Sequence, residues 1–328
     1  MKSAVVSVVV VSWNGERFLE RCLTALTAQT LRPHEIILVD NASSDKSLEI
    51  ARRFPSVRII ELNQNTGFAR GNNRAIEAAS RDSEWIALIN PDAFAEPRWL
   101  EELVASAERN PGFSMFASQL INAENPKKLD GTGDAYHVSG QFWRKGHGMP
   151  VSGAPENECE VFSPCAAAAL YRRSALHEAG GFDEDYFCYA EDVDLGFRLR
   201  LAGHRCLYVP RSVARHVGCG TTGGHHSDFA LYHGHRNLVW TFVKDMPGVL
   251  FWIFLPLHAL LNIMSVLWFA FQGRWGVILR AKLDALKGLP KMWLKRRSIQ
   301  RARVASVGEI WQQLDKRIIT AKIGRTKL

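Results

Sequence analysis

Four short runs dominated by valine, isoleucine and leucine, at residues 4–11, 35–40, 57–62 and 85–90, constrain this chain more than any other feature. They lack the polar–apolar alternation of a strand with one wet face, so they predict parallel strands covered on both sides. Helical spacing fills the intervals between them. Leu19, Leu23 and Leu26 recur along 16–28, and Ser44-Asp45 precedes a helix over 46–53. Further helices are predicted over 67–80 and 97–109, the latter with Pro97 in its first turn. Strand and helix in alternation predict a doubly wound α/β sheet. The first run follows Lys2 and resembles the apolar core of a secretion signal. It is short and β-branched, and Ser12-Trp-Asn-Gly15 follows it in place of a small-residue cleavage site, so it reads as a buried first strand.

Two runs lead into carboxylates. Asp40 ends Glu35-Ile-Ile-Leu-Val-Asp40, and Asp92 ends Trp85-Ile-Ala-Leu-Ile-Asn-Pro-Asp92. The C-terminal ends of strands are where open α/β sheets bind ligands. Asp40 can accept a hydrogen bond from the N–H of a uracil- or thymine-type base, or it can close an Asx turn into 41–45. Asp92, on the stiff Asn90-Pro91 turn, is a candidate ligand for Mg²⁺ or Mn²⁺, which prefer oxygen donors; the alternative is a plain turn aspartate. Glu191-Asp192-Val193-Asp194 places three acidic groups at the head of a helical pattern. Part of that charge complements a helix N-terminus, worth ~0.3–1 kcal/mol. Crowding also raises a carboxyl pKa toward that of a useful base, which makes Asp192 the candidate general base.

Histidines and glycines add to this set. His216, in Arg215-His-Val-Gly-Cys-Gly220 after the last predicted strand, is either a structural histidine or a metal ligand through neutral imidazole. His225, His226, His233 and His235 have no cysteine or acidic partner nearby and read as loop residues. Arg236-Asn237 is a candidate phosphate contact. Asn65-Thr-Gly-Phe-Ala-Arg-Gly-Asn-Asn73 offers glycines, an arginine and amides suited to a backbone approaching a diphosphate or sugar at a helix start. The absence of a GxGxxG fingerprint argues against a nicotinamide enzyme.

Residues 111–160 are rich in Gly, Asn and Pro and predict β-excursions and loops. Order returns with Ala166–Ala169 leading to Tyr171, a helix over 173–179, a second helix from Glu191 to Gly203, and a last strand over 204–209. The six cysteines form no CxxC pair, which fits reduced thiols in a cytoplasmic setting. Charge is uneven. Residues 1–241 hold 25 Lys and Arg against 29 Asp and Glu, a net −4, while 242–328 hold 16 against 4, a net +12. The stretch 249–271 has no charged residue across 23 positions, long enough to cross a bilayer. Basic residues interleaved with Trp275, Leu279, Leu283, Leu286, Leu289 and Trp293 follow it over 274–303. This order points to phospholipid rather than nucleic acid as partner. A single span would leave the basic tail on the far side, against the positive-inside tendency. Pro256 permits a kinked or re-entrant segment instead, and the tail suits a helix lying in the interface. A helical hairpin buried against the first part is the alternative.

Taken in order, Val9-Val-Val-Ser-Trp-Asn14, Val39-Asp-Asn-Ala-Ser-Ser-Asp45, Asn65-Thr-Gly-Phe-Ala-Arg-Gly-Asn72, Asn90-Pro-Asp92, Gly180-Gly-Phe-Asp183, Glu191-Asp-Val-Asp-Leu195 and His216 resemble the family 2 glycosyltransferases. These are inverting enzymes of the GT-A fold, and the likeness is greatest to bacterial rhamnosyltransferase-like members. It covers about residues 5–220. It implies a GT-A catalytic domain over 1–241, followed by a membrane-associating helical region over 242–328. It also implies a nucleotide-diphosphate sugar donor (dTDP- or UDP-linked, rhamnose among the sugars) and a divalent cation, Mg²⁺ or Mn²⁺. The acceptor would be a lipid-linked glycan at the cytoplasmic face of the bacterial plasma membrane. By resemblance, Asn14, Asp40, Asn41, Gly67, Arg70 and Asn90 serve the donor, and Asp92 and His216 the metal. Asp192 is the base, and Gly181, Phe182, Asp183, Glu191 and Arg236 border the acceptor. Asn90 departs from the family pattern, standing where a full DxD motif has its first aspartate. Two alternatives stay open: transfer to a polyprenyl phosphate, and a non-catalytic, glycan-binding membrane partner.

Overall fold

The structure is a computed structural model that describes residues 4–218 and 227–317. Strands β1 (Val6–Ser12), β2 (Glu35–Asp40), β3 (Val57–Glu61) and β4 (Trp85–Ile89) run parallel in the spatial order β4-β1-β2-β3. Helices α1 (Glu16–Thr27), α2 (Ser47–Arg52) and α3 (Gly67–Ala78) connect them. The unbroken Val/Ile character of β1 follows from its position, since all seven of its residues are buried. Val8 and Val10 pack into a layer with Leu19, Leu23 and Leu26 of α1, while Val9 and Val11 face the other way onto Ala69, Ala75 and Ile76 of α3. Each such side chain removed from water contributes ~1.5–3 kcal/mol.

Beyond β4 the chain makes β5 (Ala93–Ala95), α4 (Trp99–Arg109) and β6 (Met115–Asn122). Pro97 precedes α4 and its cap Arg98 rather than sitting in the first turn. The region read as irregular holds β7 (Leu129–Gly131), β8 (Asp134–Tyr136), β9 (Phe142–Arg144) and β10 (Cys159–Val161), with β8 and β9 forming an antiparallel hairpin. Next come β11 (Ala168–Arg172), antiparallel to both β4 and β6, then α5 (Arg173–Glu178), α6 (Glu191–Leu201) and β12 (Cys206–His216). The full order is β10-β12-β6-β11-β4-β1-β2-β3. Strand β12 is far longer than the predicted 204–209. A register shift between Val209 and Val213 accommodates Pro210 and lets it continue beside β6 to His216. No disulfide joins the described cysteines.

The C-terminal part is helical: α7 (Asp228–Asp245), α8 (Gly248–Phe271), α9 (Trp275–Ala302) and α10 (Val307–Gln313). Helix α7 runs unbroken past residue 241. His233 and His235 lie on it, not in a loop as the sequence suggested, whereas His225 and His226 lie outside the described residues. Helix α8 continues through Pro256 without a break and turns at Gln272-Gly273 into α9, which packs along α7. Gly288 lets the two helices close, since a Cβ there would sit 2.6 Å from the Trp240 ring. Ion pairs lock this layer to the sheet domain. Lys244 reaches Asp183 at 2.6 Å and also Asp194, and Lys295 reaches Asp183 and Asp185 at 2.5 and 2.7 Å. Helix α8 is the one described helix long and apolar enough to cross a membrane, yet it keeps most of its surface exposed.

Candidate active site

A cavity of about 530 Å³ opens where β1, β4 and β12 end and α7 and α8 approach. On its sheet side lie Trp13, Asn41, Asn65, Gly67, Asn90 and Asp92. Asp40, 3% exposed, lies just behind Asn41. Its Oδ2 accepts from the Ser43 amide at 3.0 Å, whereas its buried Oδ1 has no hydrogen-bond partner. An unmatched buried carboxylate oxygen is costly, so this atom would accept from a ligand N–H that reached it, but Asp40 itself does not line the cavity. Asn41 is committed to structure. Its amide nitrogen donates to Asn65 Oδ1 at 2.9 Å and to the Gly67 carbonyl at 3.1 Å, and its oxygen accepts from the Thr66 amide. Gly67 needs its left-handed φ of +83°, and a Cβ there would meet the Phe187 carbonyl at 2.5 Å.

Sheet pairing explains how Asp92 and His216 meet. Strand β5 runs antiparallel to β12 with Ala93 opposite His216, and the Val217 amide donates to the Asp92 carbonyl at 3.0 Å. Asp92 Oδ1 thereby lies 3.3 Å from His216 Nε2. His216 is the buried last residue of β12, not a loop residue as expected. Its Nδ1 is 2.8 Å from Asp130 Oδ2. Asp130 also pairs with Arg144 of β9 and takes a hydrogen bond from His147 Nδ1 at its own carbonyl, 2.9 Å away. Burial alone would push the His216 imidazole down, but Asp92 and Asp130 on its two sides outweigh this and hold it up at about 9. Burial likewise works to raise Asp130, but the Arg144 guanidinium and His216 keep its carboxyl well below the usual range.

A histidine that gives one nitrogen to a carboxylate and aims the other at a second carboxylate has the wiring of a metal ligand. Among the described residues no three His, Cys, Asp or Glu side chains converge as a complete cation site. Asp92 and His216 fit a divalent ion that takes its remaining oxygens from a substrate diphosphate, the usual habit of Mg²⁺. Such an ion would displace the imidazole proton.

Across the cavity, α6 begins with Glu191 and Asp192. Asp192 is half-buried, and its Oδ2 accepts from the Ala166 amide at 3.1 Å. The acidic cluster divides its roles. Asp194 faces away from the cavity, where burial opposes its charge and Arg198 and Lys244 outweigh that effect to lower it. Glu191 is raised well above a normal glutamate, first by burial and then by the Asp192 charge. The crowding effect foreseen from the sequence therefore falls on Glu191. Asp134, on β8, is raised in the same way.

Several expected residues line no part of this cavity. Asn14 braces the 43–44 loop, accepting from the Ser44 amide at 2.8 Å. Arg70 pairs with Glu184 at 3.4 Å. A Cβ on Gly181 would fall 2.6 Å from Asn73 Oδ1, and Phe182 is buried edge-on against Phe68. Asp183 is held by two lysines, as above. Arg236 donates to the carbonyls of Asp185 and Tyr186, 3.1 and 2.9 Å away, which uses its Nη2 for the backbone rather than for a phosphate. In their place the cavity takes Asp134, Phe142, Trp143, Arg144 and His147, which the sequence reading missed. The signal available was Leu129-Asp-Gly-Thr-Gly-Asp134, two carboxylates in a glycine turn. The far wall is apolar: Phe229, Leu231 and Leu238 of α7 face Trp268 and Phe269 of α8, with Gln272 and Arg274 at the turn.

Comparison with known proteins places the family and the fold. The sequence profile of Glycosyl transferase family 2 matches residues 7–180. An N-acetylglucosaminyl-diphospho-decaprenol L-rhamnosyltransferase of Mycobacterium tuberculosis is 30% identical over 264 residues, covering 72% of this chain and 86% of the relative. Among solved structures, the mannosyltransferase PcManGT of Pyrobaculum calidifontis, in complex with GDP-Man and Mn²⁺, superposes with a TM-score of 0.55 at 17% identity. That match covers 95% of this chain and 89% of the other. S. aureus TarS in complex with UDP also gives 0.55 at 17% identity, covering 97% and 94%. Both show the same fold.

Proposed function

Because the chain belongs to glycosyl transferase family 2, we propose that it moves a sugar, with inversion, from a dTDP- or UDP-linked donor to a lipid-linked glycan precursor. The observation that carries this reading is one cavity with three unlike walls. Asp92 and His216 stand at the strand ends, Asp192 stands across from them, and apolar side chains of α7 and α8 close the third side. The nucleotide is read as lying along the strand ends, with its base toward the unpartnered Oδ1 of Asp40. Asp92 and His216 would hold a divalent cation, Mg²⁺ or Mn²⁺. When bound, that ion supplies positive charge to the departing diphosphate. Asp192 is assigned the acceptor proton. Its carboxylate is anchored at Oδ2 by the Ala166 amide and at Oδ1 by the Val193 amide, 3.1 and 2.9 Å away, which orients the group at the cavity wall.

The apolar wall suits the lipid portion of the acceptor. Helix α8 exposes Trp252, Ile253, Leu260, Ile263, Leu267, Trp268 and Phe271, and α9 adds exposed Leu279, Leu283, Leu286 and Leu294 among its basic residues. A hairpin with both ends against the sheet domain supports attachment to one leaflet rather than a crossing. Because sugar nucleotides are cytoplasmic, that leaflet is read as the cytoplasmic face of the plasma membrane. The test is transfer of radiolabelled sugar from a panel of dTDP- and UDP-sugars to a synthetic polyprenyl-diphosphate glycan in vesicles. A glycosidic product supports the proposal. A sugar phosphodiester formed on polyprenyl phosphate would replace it with the lipid-phosphate alternative. Donor binding without any product, across acceptors, would favour a non-catalytic glycan-binding role.

A further inference from the structure

The segment 186–190 carries the chain into α6 and so sets the position of Asp192. Its backbone is unusual. Phe187, Tyr189 and Ala190 all have left-handed φ values of 65°, 66° and 66°, a conformation that side chains with a Cβ seldom adopt. Such a segment persists only where its surroundings dictate it. Here the surroundings are one side chain of α7 and its neighbour. Asn237, fully buried, directs its amide nitrogen at the carbonyls of Tyr186, Cys188 and Tyr189, at 3.0, 3.0 and 2.7 Å. Arg236 orients that amide by donating to its oxygen at 2.9 Å, and it adds its own hydrogen bonds to the Asp185 and Tyr186 carbonyls. The guanidinium is itself fixed, 4.3 Å from the centre of the Trp240 ring, whose Nε1 donates to Ala285 of α9 at 3.0 Å. On the opposite side, the Ala69 amide donates to the Phe187 carbonyl at 3.3 Å, so the segment is wedged between α3 and α7.

We propose that Asn237, backed by Arg236, is a positioning residue for sugar transfer: it holds the left-handed step into α6 and thereby fixes the Asp192 carboxylate against the cavity. This rests on reading Asp192 as the base. It gives the C-terminal helices a part in assembling the catalytic wall, beyond any attachment to lipid. Neither Asn237 nor Arg236 lines the cavity, but Phe187, Cys188, Tyr189 and Ala190 of the segment do, so their loss is expected to fall on turnover first and on donor binding far less.

The test uses the full chain in vesicles and three variants: Asn237→Ala, Arg236→Met and Thr241→Val. Thr241, one turn further along α7, bonds the Tyr186 hydroxyl at 3.0 Å and donates to the Asn237 carbonyl at 3.0 Å but holds no carbonyl of the segment, so its variant lowers stability without freeing the segment backbone. Asn237→Ala is expected to lower kcat about 10- to 100-fold, the scale of a misplaced reacting group. The donor KM and nucleotide Kd should stay within about twofold, and hydrogen exchange at amides 187–193 should quicken. Arg236→Met should lower kcat less, with the same split. Thr241→Val should lower Tm while kcat holds. A folded Asn237→Ala with kcat intact overturns the proposal, as does a parallel loss of donor binding or an equal kcat loss in Thr241→Val. Should Asn237→Ala fail to fold, Arg236→Met decides by the same criteria. Failure of the base assignment itself is distinguishable, because Asp192→Asn would then turn over normally.

Discussion

Replacing Ile263 and Leu267 with glutamine tests how the C-terminal helices meet a membrane. The two residues are one helical turn apart on the exposed face of α8, at 59% and 65% exposure, so little internal packing is lost. Glutamine keeps the helix, because its propensity is close to that of leucine. Fully burying one such side chain is worth ~1.5–3 kcal/mol, and about six-tenths of each is available to lipid, so each contributes ~1–2 kcal/mol and the pair ~2–4 kcal/mol. At a factor of ten per ~1.4 kcal/mol, the vesicle partition coefficient should fall roughly 30- to 700-fold. Flotation with phosphatidylcholine–phosphatidylglycerol vesicles reads this directly, with thermal unfolding as the check that the fold is intact. The variant should remain in the dense fraction while the wild type floats. Equal flotation of both would refute attachment through this face. High salt should weaken wild-type flotation too, since each basic residue near an anionic surface adds ~1 kcal/mol that ions screen.

Three further outcomes follow from the geometry. Asp130→Asn should weaken Mn²⁺ binding in the presence of UDP by about 10- to 100-fold in titration calorimetry, the usual cost of losing a partner behind a ligating histidine; unchanged affinity would contradict the wiring of His216. Asp183 is buried, but Lys244 and Lys295 hold its carboxyl well below the ordinary aspartate value. Its stabilisation is therefore present above an unfolded pKa of ~3.9 and fades as the pH falls below that. Asp183→Asn should lose ~3–5 kcal/mol at pH 7 by breaking a buried pair, and it should flatten the acid limb of a urea-unfolding series; an unaltered acid limb would count against the lock. Gly67→Ala should destabilise the chain by at least the ~1–2 kcal/mol of left-handed backbone, with more from the collision with the Phe187 carbonyl; neutral stability would show that the Phe187 segment can move away.

The sheet was legible because buried parallel strands announce themselves as Val/Ile runs, and Asp40 and Asp92 because they follow those runs. The place of Asp192 at a helix start was legible in the same way, and the structure puts it on the cavity. The rest depends on contacts that sequence spacing does not encode. Asp130 meets His216 across 86 positions, and β7, β8 and β9, at three residues each, are too short to carry a period. Helix α7 escaped notice because it is enclosed by α6 and α9 and buries polar and apolar residues alike, Asn237, Thr241 and Lys244 among them, so it has no clear amphipathic stripe. Gly181, Phe182 and Asp183 lie near α6 in sequence, but Gly181 packs on Asn73, the Phe182 ring meets Phe68, and Asp183 is held by the lysines of α7 and α9. Length and hydropathy left 249–271 open as a span, a re-entrant segment or part of a buried hairpin. The return of α9 along α7 pairs it with α9 as a hairpin.

The central claim is that Asp192 takes the acceptor proton in a sugar transfer, and one comparison tests it most directly. Nucleotide diphosphate release and nucleotide-sugar binding would be measured side by side for the full chain and for Asp192→Asn, with Mn²⁺ and a lipid-linked acceptor. The account predicts equal donor affinity and turnover reduced ~10²- to 10⁴-fold in the variant, the scale of general-base catalysis. Turnover by Asp192→Asn at the wild-type rate would contradict it.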